Sequence, residues 1–599
     1  MSSLAEQILK DVFGYDGFRH SQKQAIDALV AGRDCLVLMP TGGGKSLCYQ
    51  IPALARPGVA IVISPLIALM QDQVEALQQL GVAAGFLNST QDRDQRWATS
   101  NALTEGKLKL LYLSPERLLM EETLALLRQV EVNLFAIDEA HCVSQWGHDF
   151  RREYKQLDCL PTMFPRVPRI ALTATADQRV RQEIIEQLHL EQAEQFVHSF
   201  DRPNICYRVV DANNAKEQLW KFLELEHPTD AGIVYCLSRK RTEEIAGWLN
   251  EMGRTAMPYH AGMSDEQRNR NQRRFLLEDG LIMVATVAFG MGIDKPDVRF
   301  VAHLNLPKNL EAYYQETGRA GRDGLPANAW MAYSLKDVMT LSSFVEDSDA
   351  AQSHKQLMQH KLRTMLGWCE LTSCRRRALL RYFDEQITQD CGNCDNCLSP
   401  PEVFDNSENA QRALSCVYRT GQRFGVSYLV EVLQGKTKDP RVCQYRHDQL
   451  ELFGTGADVD GRQWRDLFRQ LIAAGYLVLD DEGHGSLHLD NSCRPVLKGE
   501  QRVMQRKQTR SPAKPKKSSS DLLEVSDQPL FEALRSLRAD LARQNGIPPY
   551  VIFHDATLIA LATYKPTEIQ ELTGISGIGQ TKQERYGEAF VEVIRQFTG

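Results

Sequence analysis

From Leu36 to Ser334 the chain alternates short, unbroken apolar runs with longer segments in which apolar residues recur at helical spacing. Cys35-Leu36-Val37-Leu38, Ala60-Ile61-Val62-Ile63, Leu110-Leu111-Tyr112-Leu113 and Leu134-Phe135-Ala136-Ile137 are such runs. Continuous Val/Ile/Leu runs fit parallel strands buried on both faces, with crossover helices between them. The alternation restarts after Arg202-Pro203-Asn204, with Gly232-Ile233-Val234-Tyr235, Leu281-Ile282-Met283-Val284 and Arg299-Phe300-Val301-Ala302. The fold class expected is α/β, two doubly wound parallel-sheet domains joined near residue 204. Beyond Thr340 helical periodicity takes over. Residues 405–500 read as short helices followed by Tyr476-Leu477-Val478-Leu479, a turn at Gly483-His484-Gly485 and Leu487-His488-Leu489, the pattern of a winged helix. Arg510 to Ser520 is rich in Ser, Pro and Lys without apolar periodicity, hence a flexible linker. The expected division is 1–204, 205–340, a helical segment 341–403, the winged helix 404–505, a basic linker 506–524 and a small all-α domain 525–599.

Composition narrows the class. With 43% hydrophobic and 25% charged residues the chain reads as globular. No apolar run approaches the roughly 18 residues of a membrane span. Val59 to Met70 comes nearest and is broken by Ser64 and Pro65. Glu6, Lys10 and Asp11 stand where a signal peptide needs apolar residues, so a cytoplasmic protein without membrane contact is expected. The 14 cysteines are mostly scattered; Cys35, Cys48, Cys142 and Cys236 lie in apolar surroundings and read as core. A net charge of −7 leaves nucleic-acid binding to local patches. Arg375-Arg376-Arg377 with Arg381 is one candidate. Another is Arg502 to Lys517, with seven basic residues and no acidic one, which reads equally well as a solvated linker.

Four segments carry the chemistry. Thr41-Gly42-Gly43-Gly44-Lys45-Ser46 follows an expected strand and precedes a helix, the setting of a phosphate-binding loop. Glycines let backbone N–H groups approach phosphates, Lys45 can reach the β- and γ-phosphates of ATP, and the Ser46 hydroxyl can ligate Mg2+. Asp138 and Glu139 end an apolar strand, at the edge where ligands of such sheets bind. Asp138 would hold Mg2+, and Glu139 would orient and deprotonate the attacking water. Thr173-Ala174-Thr175 is the third segment. The fourth, Gln315-Glu316-Thr317-Gly318-Arg319-Ala320-Gly321-Arg322, lies in the second α/β domain. Gln315, Arg319 and Arg322 are its catalytic candidates: arginines brought from another domain make hydrolysis depend on closure. Together the segments describe a motor that converts ATP hydrolysis into movement along nucleic acid.

Near the middle of the chain Cys374, Cys391, Cys394 and Cys397 form C-x16-C-x2-C-x2-C, a spacing suited to a structural tetrahedral Zn2+ site. Cys369 competes for the first position.

These residues carry a resemblance to the RecQ family of superfamily 2 DNA helicases, of the bacterial type, extending over almost the whole chain. The resemblance implies two RecA-like helicase domains, a zinc-binding platform with Cys374 as its first ligand, a winged helix, and a helicase-and-RNase-D C-terminal domain. Phe13 to Gln22 resembles the adenine-recognition motif, implying that Tyr15, Arg19 and Gln22 contact the base. His141 to Arg151 resembles the aromatic-rich loop, implying DNA contact by Trp146, His148, Phe150 and Arg151. Asp294, within Ala285 to Asp294, is implied to poise the ATP site, and Thr173 and Thr175 to link hydrolysis to strand movement. Ser64-Pro65-Leu66, Ser114 to Arg117 and Tyr259 to Gly262 resemble further motor motifs. Arg462, Arg465 and Arg469 of the winged helix are candidate duplex contacts, with His484 at the hairpin tip. In the terminal domain, Pro548 to Phe553 and Gly577 to Lys582 resemble the family's module, implying contact of Tyr550 and Lys582 with single-stranded DNA; protein interaction is an equal reading.

The activity so implied is 3′→5′ unwinding of DNA, driven by ATP with Mg2+ and Zn2+ as metals, in recombination, repair and the SOS response. The alternative is an ATP-driven translocase that remodels protein–DNA complexes without separating strands. Expected partners are single-stranded DNA, duplex junctions and single-stranded-DNA-binding protein, and the expected state is a monomer at the nucleoid.

Overall fold

Seven strands form the first sheet: β1 (Cys35–Leu38), β2 (Val59–Ile63), β3 (Ala84–Leu87), β4 (Leu110–Leu113), β5 (Val132–Ile137), β6 (Arg169–Thr173) and β7 (Glu194–Val197). Their order is β3-β4-β2-β5-β6-β1-β7, and every pairing is parallel. In this computed structural model the described residues are 3–19, 21–40, 42–88, 91–144, 151–176, 178–289, 295–479, 486–506 and 527–598. The period-2 alternation of each strand divides the sheet's side chains between two cores. Leu36, Ile61, Leu111 and Phe135 face one, and Val37, Val62, Tyr112 and Leu134 the other. Both faces are covered, which explains why these strands read as unbroken apolar runs.

The second lobe repeats the plan with β8 (Ile205–Asp211), β9 (Gly232–Tyr235), β10 (Ala256–Tyr259), β11 (Ile282–Ala285), β12 (Phe300–His303) and β13 (Ala327–Tyr333). The order is β10-β11-β9-β12-β13-β8, again wholly parallel. The phosphate loop, Asp138 and Thr173 leave β1, β5 and β6, three consecutive strands in space. Topology alone therefore gathers them at one edge.

Beyond the lobes come the helices Gln352–Cys369 and Arg375–Tyr382 and the cysteine cluster. A winged-helix module follows. Its helices Ser407–Arg419, Val426–Leu433 and Gly461–Ala473 pack with the hairpin β15 (Leu477–Leu479) and β16 (Leu487–Leu489). β14 (Val403–Asp405) and β17 (Met504–Arg506) pair antiparallel at the module's two ends. The hairpin tip with His484, and the segment 507–526 that holds most of the basic linker, lie outside the described residues. The terminal helices Gln528–Asn545, Asp555–Tyr564 and Gln580–Thr598 enclose a separate apolar core around Leu534, Leu558, Leu561 and Phe590. No helix among the described residues is long and apolar enough to cross a membrane.

Of the arginines expected to face nucleic acid, Arg375, Arg376 and Arg469 turn inward, while Arg381 is exposed. Arg375 is fully buried, pairs with Asp395 at 2.6 Å and donates to the carbonyl oxygens of Trp368 and Cys369, each at 2.9 Å. Arg376 donates to the Ile205 carbonyl oxygen at 2.5 Å and faces Asp201, and Arg377 pairs with Asp390. Arg376 thus ties the cysteine module to the second lobe, while Arg375 and Arg377 bond within the module. Arg469 likewise turns inward, onto Asp211 at 2.8 Å, Asp466 at 3.4 Å and Glu370, joining the winged helix to lobe 2. Arg465, on the same helix, is exposed.

Candidate active site

The loop after β1 turns back over the sheet edge. Gly42 and Gly44 have φ of +79° and +80°, the left-handed region that glycine enters without strain. A side chain at Gly44 would meet Gln22 Nε2 at 2.4 Å. That amide instead donates to the carbonyl oxygens of Gly43 (3.3 Å) and Gly44 (3.0 Å), while its Oε1 accepts from the Arg19 N–H at 2.8 Å. Gln22 thus fixes the loop and the Arg19 turn to each other, and Tyr15, Arg19 and Gln22 line one recess with Gly42 and Gly44. Lys45 Nζ lies 3.2 Å from the Met39 carbonyl oxygen, across the mouth of the loop. Thr41 lies outside the described residues.

Asp138 follows β5. Its carboxylate accepts from the Glu139 N–H at 3.0 Å, and its carbonyl oxygen accepts from the Tyr154 hydroxyl at 2.8 Å. Glu139 adopts φ 50° and ψ 44°, which turns the chain so that both carboxylates line the cavity. His141 is fully buried; burial, with Lys45 and Arg151 nearby, pushes its imidazole down to about 3, so it is neutral. Its Nδ1 lies 2.9 Å from the Thr173 hydroxyl and 3.4 Å from Glu139. The Thr173 hydroxyl donates to the Thr175 carbonyl oxygen at 3.2 Å, so its oxygen is left to accept from the imidazole. Hydrogen bonds therefore run from His141 to Thr173 and on to Thr175, and Glu139 Oε2 approaches the same imidazole without bonding to it. Arg151, at the end of the aromatic-rich loop, donates to the Pro65 carbonyl oxygen at 3.2 Å and so meets the Ser64–Leu66 segment. Trp146, His148 and Phe150 lie outside the described residues, as does Asp294.

The second lobe reaches this edge through Arg322. A side chain at Gly42 would meet Arg322 Cγ at 3.3 Å and its Cα at 3.4 Å, so the arginine packs directly on the phosphate loop. Arg322 lines a cavity of about 350 Å³ with Lys45, Ser46, Asp138 and Glu139. Arg319 is buried beside Tyr235 and is not part of that lining, and Gln315 sits on the helix Leu310–Thr317. Arg202, which donates to the carbonyl oxygens of Gly318 (3.0 Å), Ala320 (2.8 Å) and Gly321 (2.9 Å), holds the turn that presents Arg322. Nothing in the local pattern around Arg202 announced this role. Tyr550, His554 and Lys582 of the terminal domain line the same cavity. Their sequence neighbourhood gave no sign of a place beside the phosphate loop.

A second centre stands apart. The sulfur atoms of Cys374, Cys391, Cys394 and Cys397 all lie within 4.8 Å of one another, and those of Cys391 and Cys397 are 3.9 Å apart. Zinc–sulfur bonds of about 2.3 Å place the sulfurs of a tetrahedral site about 3.8 Å apart, so the four residues fit Zn2+. Backbone N–H groups of Arg377 and Cys391 point at the Cys374 sulfur, each at 3.4 Å, and that of Asn393 at the Cys391 sulfur at 3.3 Å, the donors a thiolate cluster needs. Hydrogen bonding from Cys391 lowers the Cys394 thiol below its ordinary value. Cys369 is buried and lies outside the cluster, and Cys374 is its first member.

Models of five protein families match consecutive parts of the chain: DEAD/DEAH box helicase (19–184), helicase conserved C-terminal domain (214–324), RecQ zinc-binding (335–398), RQC domain (400–514) and HRDC domain (527–594). Proteins named ATP-dependent DNA helicase RecQ are similar over the full length. That of Pasteurella multocida is 43% identical, covering 100% of this chain and 94% of the relative. That of Haemophilus influenzae is 44% identical (99% and 96%), and that of Bacillus subtilis 38% (99% and 98%).

Proposed function

Since the chain belongs to the RecQ family of ATP-dependent DNA helicases, we propose a division of labour in which each hydrolysis step needs both lobes at once. The chain is an ATP-hydrolysing DNA helicase, and what remains is which groups do the work. The contact of Arg322 with the phosphate loop carries the reading.

Lys45 and the loop N–H groups bind the β- and γ-phosphates. Tyr15, Arg19 and Gln22 hold the base. The Ser46 hydroxyl and Asp138 carboxylate are hard oxygen donors on one cavity wall and suit Mg2+, which when bound neutralises phosphate charge. Glu139 takes the proton of the attacking water. Arg322 stabilises charge on the transferring phosphoryl group, with Arg319, Gln315 and Asp294 supporting the second lobe's face. Charge on the γ-phosphate draws Arg322 in and closes the lobes; departure of phosphate releases it. The His141–Thr173 path, beside Glu139, passes the state of the site toward the DNA face, where Arg151, Trp146, His148 and Phe150 engage a single strand. Closing and opening then move the protein 3′→5′ and part the duplex, in recombination and repair. The reading extends to a monomer in the cytoplasm, working at the nucleoid with single-stranded-DNA-binding protein as a partner.

Steady-state ATP hydrolysis with and without single-stranded DNA tests this. DNA should stimulate the wild-type rate, Lys45→Ala should abolish it, and Arg322→Ala should lower kcat by about a thousandfold, the scale of an arginine finger. An Arg322→Ala rate equal to wild type would overturn the two-lobe reading.

A further inference from the structure

The terminal domain docks across the cleft between the lobes. On lobe 1 the Gly577 N–H donates to the Gly14 carbonyl oxygen at 2.9 Å, inside the segment that carries Tyr15 and Arg19. The approach is so close that a side chain at Gly14 would meet Gly579 N at 2.5 Å. Arg585 donates to Gln79, at 3.2 Å to its carbonyl oxygen and 3.0 Å to its side chain. On lobe 2 Arg535 pairs with Asp279 at 3.2 Å. The domain therefore touches both lobes, and Tyr550, Val551, His554 and Lys582 line the same cavity as Lys45.

We propose that Lys582 is a nucleotide ligand supplied by the terminal domain, contacting the polyphosphate of ATP in the cavity it shares with Lys45; this rests on the assignment of that cavity to ATP. Among the described residues Lys582 makes no hydrogen bond or ion pair. Enclosure alone pushes its ammonium group down to about 8, with no carboxylate near enough to offset it. A half-buried ammonium group at a cavity wall, with no carboxylate beside it, is a site for an anion. The anion the cleft is built for is the polyphosphate: the phosphate loop, with Lys45 and Ser46, lines the same cavity as Lys582. Tyr550 and His554, their rings parallel within 11°, flank the same opening. The domain thus adds a positive charge and a roof to a site that the two lobes leave open on this side. Because Lys582 and Tyr550 face the nucleotide in this arrangement, the docked domain cannot offer them to DNA at the same time.

The test is direct binding of a fluorescent, slowly hydrolysed ATP analogue to the full chain without DNA. Lys582→Ala should weaken binding about tenfold, the loss typical of one charge-assisted phosphate contact, and Lys582→Arg should restore most of it. Lys582 lies in the first turn of the last helix, outside the domain's apolar core, and the melting curve should be unchanged. Arg535→Ala, remote from the cavity lining, should weaken binding by loosening the docking. Lys45→Ala is the control. Lys582→Ala binding within twofold of wild type, while Lys45→Ala loses affinity, would overturn the inference and leave the ATP site intact. Unchanged binding in Lys45→Ala would overturn both.

Discussion

Glu139 stands in the left-handed region, which costs a residue with a side chain about 1–2 kcal/mol. The strain is held by the Asp138 carboxylate on its N–H and by the Tyr154 hydroxyl on the preceding carbonyl oxygen. What the strain secures is direction: two consecutive acidic residues both reach one cavity, where an extended strand would send them to opposite faces. Separate roles follow. Glu139→Gln keeps the shape and removes the proposed base, so nucleotide affinity should hold while kcat falls by about 10²–10⁴, the range of general-base catalysis. A parallel loss of affinity, read by equilibrium binding, would contradict that role. His141, neutral throughout the working pH range, serves as a hydrogen-bonding link and not as a proton store.

Among the elements, the cysteine module does more than fold itself. Asp395 sits between two of its ligands, pairs with Arg375 and accepts the N–H of Val209 at 3.0 Å, on the edge strand β8. Zinc bound by the four cysteines would fix a carboxylate that covers the open edge of the second sheet. Cys394→Ser should lose the metal, measured by atomic absorption, and lower the first thermal transition by several degrees. A full-length Cys394→Ser protein with wild-type melting would show that the module docks without its metal. The winged helix is attached by Arg469, facing three carboxylates with one guanidinium. Burial, outweighing Arg469, raises Asp466 to about 6 from its ordinary 3.8. The folded state then binds more protons than the unfolded one between those values, so this residue's contribution to stability falls as pH rises through that window. Asp466→Asn should therefore raise the melting temperature near pH 7.5 and flatten the decline, whereas Arg469→Ala should cost about 3–5 kcal/mol by leaving buried carboxylates unpaired. A destabilised Asp466→Asn protein near pH 7.5 would contradict the assignment.

At the scale of the whole molecule, what was legible in the sequence is what local pattern controls. Val/Ile/Leu runs announced both sheets because parallel strands bury both faces, and the glycine loop, the paired carboxylates and C-x16-C-x2-C-x2-C carry their chemistry in their spacing. Contacts between distant segments were not legible. The run Arg375 to Arg377 looked like a basic patch because sequence shows charge and not its partners, Asp395, Asp201 and Asp390. The docking of Lys582 beside Lys45 depends on a linker and an interface that no periodicity encodes. Both arginines of the Gly318–Arg322 turn looked alike, yet Arg322 alone packs on Gly42, since Arg319 is held inside the lobe.

The central claim is that closure of two lobes on ATP drives separation of DNA strands. Strand displacement with ATP and magnesium, on duplexes carrying a 3′ or a 5′ single-stranded tail, tests it most directly, with Lys45→Ala as the inactive reference. The account predicts displacement from the 3′ tail only, absent in Lys45→Ala. DNA-stimulated hydrolysis without displacement from either tail would contradict it and make the protein a translocase.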